Sequence, residues 1–427
     1  MVSGNHLHNL GALTAGQVEA LVSRMTRFDE DFDEGTLRPR KIVRFDLPRC
    51  VTWTCIVLSQ WMLVASSDNH SSVMSCWDIS KALQGDTKPV STWYLPGPVH
   101  TGKTHAQSSG VIVALGLGRP VYSTQLLKLE LGSSSDHTTF QFLKEFQGAV
   151  HVTLLTDSLL CCARYRDINQ LHFINWQEES VYSSDPQPSD NHQGAALCVI
   201  LWRELLIAVG RTDVDIYSLP DGTKPPSPLY SASFPFFAWT VIALSPSFSG
   251  SEEQCFLVVG EDDAMQILRV TATFEVGGKP VCNCKIEPLA TKCAWEFEQS
   301  APSHAAAVGH SGKLIMWTGL VRSTDDRQFA SLISMALSSA DKDAPDSVRA
   351  KFMDCAANVR EELPALWAIA KLDLDDEQGL ALVGNIFGEL ALIDFVPGNL
   401  EVCPSESSGP KILHNDPAPI CSSNVRS

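Results

Sequence analysis

The sequence predicts an all-β fold, a seven-bladed β-propeller of WD-repeat-like units with a short N-terminal helix. Three observations carry this reading. Short apolar runs recur at nearly even spacing, each is followed by a turn rich in Gly, Asp or Ser, and each turn leads into a second β-prone run. The stretch from Trp61 to Ser80 is the clearest copy, with Met62, Leu63, Val64 and Ala65, then the polar segment 66–72, then a run closed by Trp77, Asp78 and Ile79. Both runs are short and bounded by turn residues, which argues for a hairpin rather than a helix.

The first runs centre on Val64, Val113, Leu160, Ala208, Val259, Val308 and Val383, at intervals of 49, 47, 48, 51, 49 and 75 residues. A period of this length with β-type units points to propeller blades. One such blade buries little alone, so neighbours must stack around an axis. The long last interval predicts an insertion at about 324–363, between the sixth and seventh units, containing Asp341 to Asp346 and a helix-like stretch from Val348 to Glu362. The β-prone stretch Lys41 to Asp46 precedes the first unit, and the seventh ends soon after Phe395, so the N-terminal strand is expected to complete the last blade. The expected plan is therefore a linker helix and Arg/Pro segment (1–40), the propeller with its insertion (41–400), and a flexible tail rich in Ser, Pro and Asn (401–427).

Ahead of the units the period becomes helical. Residues 13–28 place Val18, Leu21, Val22, Met25 and Phe28 on one face, with Thr14 and Gln17 spaced as a capping box and Leu13 and Val18 as a hydrophobic staple. The acidic run from Asp29 to Glu34 and Gly35 is expected to end this helix.

The net charge is −17, from 49 acidic and 32 basic residues, so nucleic acid and anionic membrane are poor partners. Thirteen cysteines, an odd number scattered singly or inside apolar runs, read as reduced thiols. The N-terminus lacks a basic start and an apolar stretch of signal-peptide length, and no apolar run long enough to span a membrane follows. A cytoplasmic or nuclear location is expected.

Few motifs carry chemistry. Gly97 to Thr104 matches the P-loop pattern, but Lys103 is followed by a short polar stretch and then the β-prone Val111, Ile112 and Val113. A phosphate cradle needs a helix starting at the lysine, and there is no room for one, so the match reads as a loop. Cys282, Cys284 and Cys293 lack the paired spacing of a zinc site. No nucleophile elbow or two-histidine metal motif occurs, so no catalytic residue, cofactor or metal is assigned. Trp77 and Trp317 sit where they would pack between blades, and Trp53, Trp239 and Trp367 lie in apolar runs suited to inner strands, so all five are expected to be core rather than a ligand cage.

The turns inside the hairpins are more informative, because in a propeller they gather on one rim. Arg119, Arg164, Arg166 and Arg211 fall in the turns of the second, third and fourth units, Glu261, Asp262 and Asp263 in the fifth, and His310 in the sixth. The four arginines and His310 form a candidate partner-binding rim for an acidic or phosphorylated peptide, since guanidinium binds such groups in a bidentate way. The competing expectation is that the arginines pair with nearby acids such as Asp167 and Asp213.

The opening from Asn9 to Val22, through Arg27-Phe28-Asp29 and Arg38-Pro39-Arg40, resembles the linker helix of mushroom-lineage fungal F-box proteins, and Leu63 to Ile79 is similar to the first blade of their degenerate propeller. The resemblance implies a non-enzymatic recognition module, the substrate-binding part of a ubiquitin-ligase receptor with ligase components among its partners. The F-box expected ahead of such a linker is not found in these 427 residues. The alternatives are a general WD-repeat-like scaffold, and a propeller enzyme or nucleotide-binding protein using residues 97–104.

Overall fold

The computed structural model describes residues 15–396 except 69, 132–137, 167–169, 184–195, 220–225, 245–252, 261–264, 275–279, 290–305, 310, 313, 323–327, 340–347 and 369–370. It contains seven four-stranded antiparallel sheets arranged as the blades of a propeller. The innermost strands are Cys50–Val57, Val99–Gln107, Ala149–Leu155, Cys198–Trp202, Ala238–Ala243, Ala306–Val308 and Lys371–Asp375, for blades one to seven in order. Each packs against the innermost strand of the next blade, and the seventh returns to the first. The ring is closed.

Closure is made by the strand Lys41–Asp46, which pairs with Glu389–Asp394 from Lys41 opposite Asp394 to Asp46 opposite Glu389. It is the outermost strand of blade seven, as the sequence predicts. Both ends of the described chain thus hold one sheet.

The second strands explain the repeat signal. Trp61–Ser67, Gly110–Leu117 and Leu380–Gly384 are buried along their whole length, because neighbouring blades cover both faces. Such strands read as continuous apolar runs. The outermost strands alternate instead, as in Ser91–Leu95 and Val281–Pro288, with one face toward water. Among the described residues the buried apolar side chains form seven clusters, one at each blade-to-blade interface. Trp77 packs between blades one and seven, edge-on to Phe45, and donates its indole N–H to the Thr87 carbonyl at 3.0 Å. Trp317 lies between blades five and six.

Blade six differs from expectation. Val308 belongs to the innermost strand, not the second, which is Leu314–Arg322. The stretch expected as an insertion, 324–363, instead supplies the third and fourth strands, Gln328–Ser339 and Val348–Asp354. A three-residue inner strand followed by Gly309 imitates the apolar-run-then-glycine signal of a second strand, which shifts the phase by one strand. The supposed helix from 348 to 362 is this outermost strand followed by a single 3-10 turn, Arg360–Glu362.

The N-terminal helix, α1 (Ala15–Glu34), runs six residues past its expected end, through the acidic run. Its buried face is Arg24, Phe28 and Phe32, spaced four apart, whereas Val22 is exposed. Phe28 meets Phe395 edge-on at 6.2 Å, and Lys351 donates to the Phe32 carbonyl at 2.9 Å, placing a cation at the helix C-terminus. Gly35, at φ +76°, stops the helix with its amide on the Phe32 carbonyl. Leu13 and Thr14 lie outside the described residues, as does the tail 401–427. No helix among the described residues is long and apolar enough to cross a membrane.

Candidate functional site

The turns joining second to third strands open on the same rim as the connections from an outermost strand to the next innermost one. This follows from the up-and-down order of every blade. Arg119, Arg164, Arg166 and Arg211 all fall in such turns or at their strand ends, so the fold gathers them on one rim across blades two, three and four. His310 lies outside the described residues, and the strands flanking it are the first and second of blade six. That turn opens on the opposite rim, a consequence of the phase shift in blade six. There Ser311 donates its amide to Asp376 at 2.9 Å. Glu261, Asp262, Asp263 and Asp167 lie outside the described residues.

Between blades two and three, main-chain bonds tie three loops together. The Gly148 amide donates to the Tyr122 carbonyl at 2.7 Å, and the Tyr165 amide donates to the Gly148 carbonyl at 2.9 Å. This brings the Tyr122 and Tyr165 rings into a stack with centroids 3.7 Å apart. Arg119 Nε donates to the Tyr122 hydroxyl at 2.7 Å. Tyr165 first and Arg119 second lower the Tyr122 phenol from its ordinary pKa. The result is an aromatic stack of half-buried Tyr122 and exposed Tyr165, edged by a guanidinium.

Between blades four and five a second such element forms. The Arg211 guanidinium lies 5.1 Å from the Phe237 ring and 5.8 Å from that of Trp239, both within cation–π range. The Ala238 amide donates to the Arg211 carbonyl at 2.6 Å, which fixes the turn against the incoming strand. Trp239 sits in a β-bulge, between Ala238 and Thr240 in the pairing with the second strand, and is 54% exposed. A bulge re-aims its side chain, and here it turns an indole outward from an innermost strand. The expectation that Trp239 and Trp367 are core is therefore overturned, Trp367 being 71% exposed on the same rim and edge-on to Phe387 at 5.5 Å. Trp53 is half-buried, its indole seated on Gly102 of the next blade, where a Cβ would come within 2.6 Å.

Among the described residues none of the four arginines is in an ion pair. Asp213, one of the acids expected to neutralise them, makes no such pair among the described residues. Burial first and Asp215 second push its carboxyl up to about 6. Unpaired guanidinium groups beside exposed aromatic rings can bind carboxylate or phosphate oxygens while apolar groups pack alongside.

The remaining motifs are absorbed by the fold. Val99 to Thr104, within the P-loop-like segment, is part of the innermost strand of blade two and not a loop, with Lys103 opposite Ala114. No helix follows, so the backbone cradle of a nucleotide site is not formed. Cys282 and Cys284 lie on the outermost strand of blade five as free thiols, and burial pushes Cys284 up to about 12. Cys293 lies outside the described residues.

Sequence reasoning placed the arginines in these turns and missed the aromatic rings beside them. Tyr122 stands three residues after Arg119 in the same turn, a spacing visible in the sequence, whereas the bulge that exposes Trp239 has no sequence signal. No protein-family model matches the chain, and no curated protein matches it either. The fold itself is a common protein-interaction scaffold.

Proposed function

We propose that this chain is a non-enzymatic protein-interaction module whose rim across blades two to five takes an acidic or phosphorylated segment of a partner protein. One observation carries the proposal: four arginines without ion-pair partners among the described residues share a rim with exposed aromatic rings, on a chain of net charge −17. Surface arginines on an acidic protein have many carboxylates to pair with, and guanidinium groups that pair with none of the described acids favour an external anionic ligand. The aromatic rings add apolar area at low entropic cost, as interface hot spots do.

The finer reading is the substrate-recognition part of an F-box-type ubiquitin-ligase receptor. Its support is the likeness of the N-terminal segment to such linkers and the position of α1, which docks on Gln378 and Val396 at the end of blade seven away from the arginines. A receptor needs its ligase-facing and substrate-facing ends apart. Co-purification of ligase components with the full chain tests this finer reading, and their absence leaves a general WD-repeat-like scaffold.

The rim itself is tested with an array of acidic, phosphorylated and neutral peptides. Wild-type chain should retain acidic or phosphorylated spots, and the Arg164→Glu/Arg211→Glu variant should lose them. Equal retention of neutral peptides, or no loss in the variant, contradicts the proposal.

A further inference from the structure

The tyrosine pair between blades two and three is held by a strained backbone. Tyr122 takes φ +48°, a left-handed conformation that a bulky side chain rarely adopts. Its amide donates to the Gly118 carbonyl at 3.2 Å, and its carbonyl accepts the Gly148 amide at 2.7 Å. Gly148, itself at φ +77°, accepts the Tyr165 amide at 2.9 Å. The turn of blade two, the connection between the blades and the turn of blade three are thus stitched by one run of main-chain bonds. Strain of this kind persists only where the surrounding structure over-determines it, and it collects at binding sites.

The two rings lie with centroids 3.7 Å apart and planes 25° from parallel. A ring stacked on one face can expose little more than its other face. Tyr165 is 46% exposed, so its outer face is open, whereas Tyr122 is the half-buried inner ring. Arg119 Nε donates to the Tyr122 hydroxyl at 2.7 Å, and hydrogen bonding to both phenol oxygens, Tyr122 before Tyr165, raises the Arg119 pKa. The hydroxyl ends of both rings therefore point the same way, toward one guanidinium. Arg164 and Arg166 flank Tyr165 along the chain, and both are exposed. Among the described residues none of these three arginines is in an ion pair.

We infer that the outer face of Tyr165 receives the ring of a phosphotyrosine in the partner segment, with its phosphate at the Arg119 end of the stack. The inference rests on the rim reading above for the anionic character of the partner, and adds which residue carries the charge. A third ring laid on Tyr165 in the same direction continues the stack already built. Its para oxygen then falls beside the two hydroxyls, where Arg119 stands. Parallel stacking is a favoured aromatic geometry, and guanidinium binds phosphate oxygens in a bidentate way. A phosphoserine brings the charge without a ring, and an unmodified tyrosine brings the ring without the charge. Only the aryl phosphate uses both halves of the site.

The test measures, by calorimetry on the full chain, three peptides that differ at one position, which is phosphotyrosine, phosphoserine or tyrosine. The phosphotyrosine peptide should bind about tenfold more tightly than either of the others. Tyr165→Leu keeps apolar bulk but removes the ring, and should bring the phosphotyrosine and phosphoserine peptides to equal affinity, whereas Tyr165→Phe should keep the preference. Wild-type chain supplies a measurement that needs no variant: phenyl phosphate should displace the phosphotyrosine peptide at about tenfold lower concentration than inorganic phosphate does. Equal affinity of the phosphotyrosine and phosphoserine peptides, equal displacement by phenyl phosphate and inorganic phosphate, or a preference that survives Tyr165→Leu overturns the site. If the preference is absent while acidic peptides are still lost in Arg164→Glu/Arg211→Glu, the ring site falls and the rim reading stands. If the preference is present and vanishes in Tyr165→Leu, while acidic peptides bind Arg164→Glu/Arg211→Glu as they bind wild type, the rim reading falls and the ring site stands.

Discussion

Arg24 on α1 and Asp394 at the end of blade seven's third strand form an ion pair of 2.7 Å, with both side chains almost entirely out of water. The guanidinium also donates to the main-chain oxygens of Gln378 at 2.7 Å and Val396 at 3.4 Å. Burial raises the Asp394 pKa and outweighs the lowering by Arg24, so the carboxylate depends on its partner. Arg24→Met therefore strands a buried acid, and urea unfolding should show a loss of about 3 kcal/mol at neutral pH. The folded pKa then rises further above the unfolded one, so the loss shrinks as pH falls and the acid is neutralised. Asp394→Asn in the same background should recover part of the stability. Equal stability of Arg24→Met and wild type would remove the pair as the anchor of α1.

Blades two and three are clamped through main chain. A Cβ on Gly116 would stand 1.7 Å from the Val150 carbonyl oxygen, and neither backbone can swing aside. Gly116→Ala should destabilise the fold by about 3 kcal/mol or prevent folding. The softer variant Thr101→Val loses the bond to Val150 O at 3.1 Å and the one from Val152 N at 2.9 Å, and should cost about 1–2 kcal/mol. Thermal unfolding of both variants measures the clamp, and a Thr101→Val chain as stable as wild type speaks against it.

The carboxyl of Asp213 is raised to about 6 by burial and by Asp215, above its value in an unfolded chain. Its contribution is thus fully present below about pH 4 and lost as pH rises through about 6. Asp213→Asn removes that loss. After discounting for partial exposure, the variant should be about 1 kcal/mol more stable than wild type near pH 7.5, with no gain near pH 4. A stability difference independent of pH would show that Asp213 titrates normally.

Two classes of tryptophan are distinguished by exposure. Trp367→Ser should shift stability by less than about 0.5 kcal/mol, because the ring is mostly in water. Trp317→Ala empties the interface between blades five and six and should cost about 4 kcal/mol. Chemical denaturation of both reads the difference, and comparable losses would place Trp367 in the core.

The blades were legible because second strands covered on both faces write continuous apolar runs, as at Leu63 to Ala65 and Leu380 to Val383. The phase of blade six was not, since Ala306–Val308 with Gly309 carries the same letters in a different strand. The helix end was misplaced because Phe32 extends the buried stripe through residues that look like a terminating acidic run. Of the site, the arginines showed as turn residues in register across units. Tyr122 beside Arg119 was visible as a turn spacing, whereas the exposed Trp239 was hidden, because the bulge there depends on how neighbouring strands pair.

The central claim is that the rim binds by its arginines, and a charge swap tests it most directly. The affinity of the best acidic peptide from the array is measured by calorimetry against wild type and against Arg164→Glu/Arg211→Glu, together with the same peptide carrying lysines in place of its acids. The account predicts a loss of about tenfold or more for the acidic peptide in the variant and recovery with the lysine peptide. Unchanged affinity of the acidic peptide in a folded variant would contradict it.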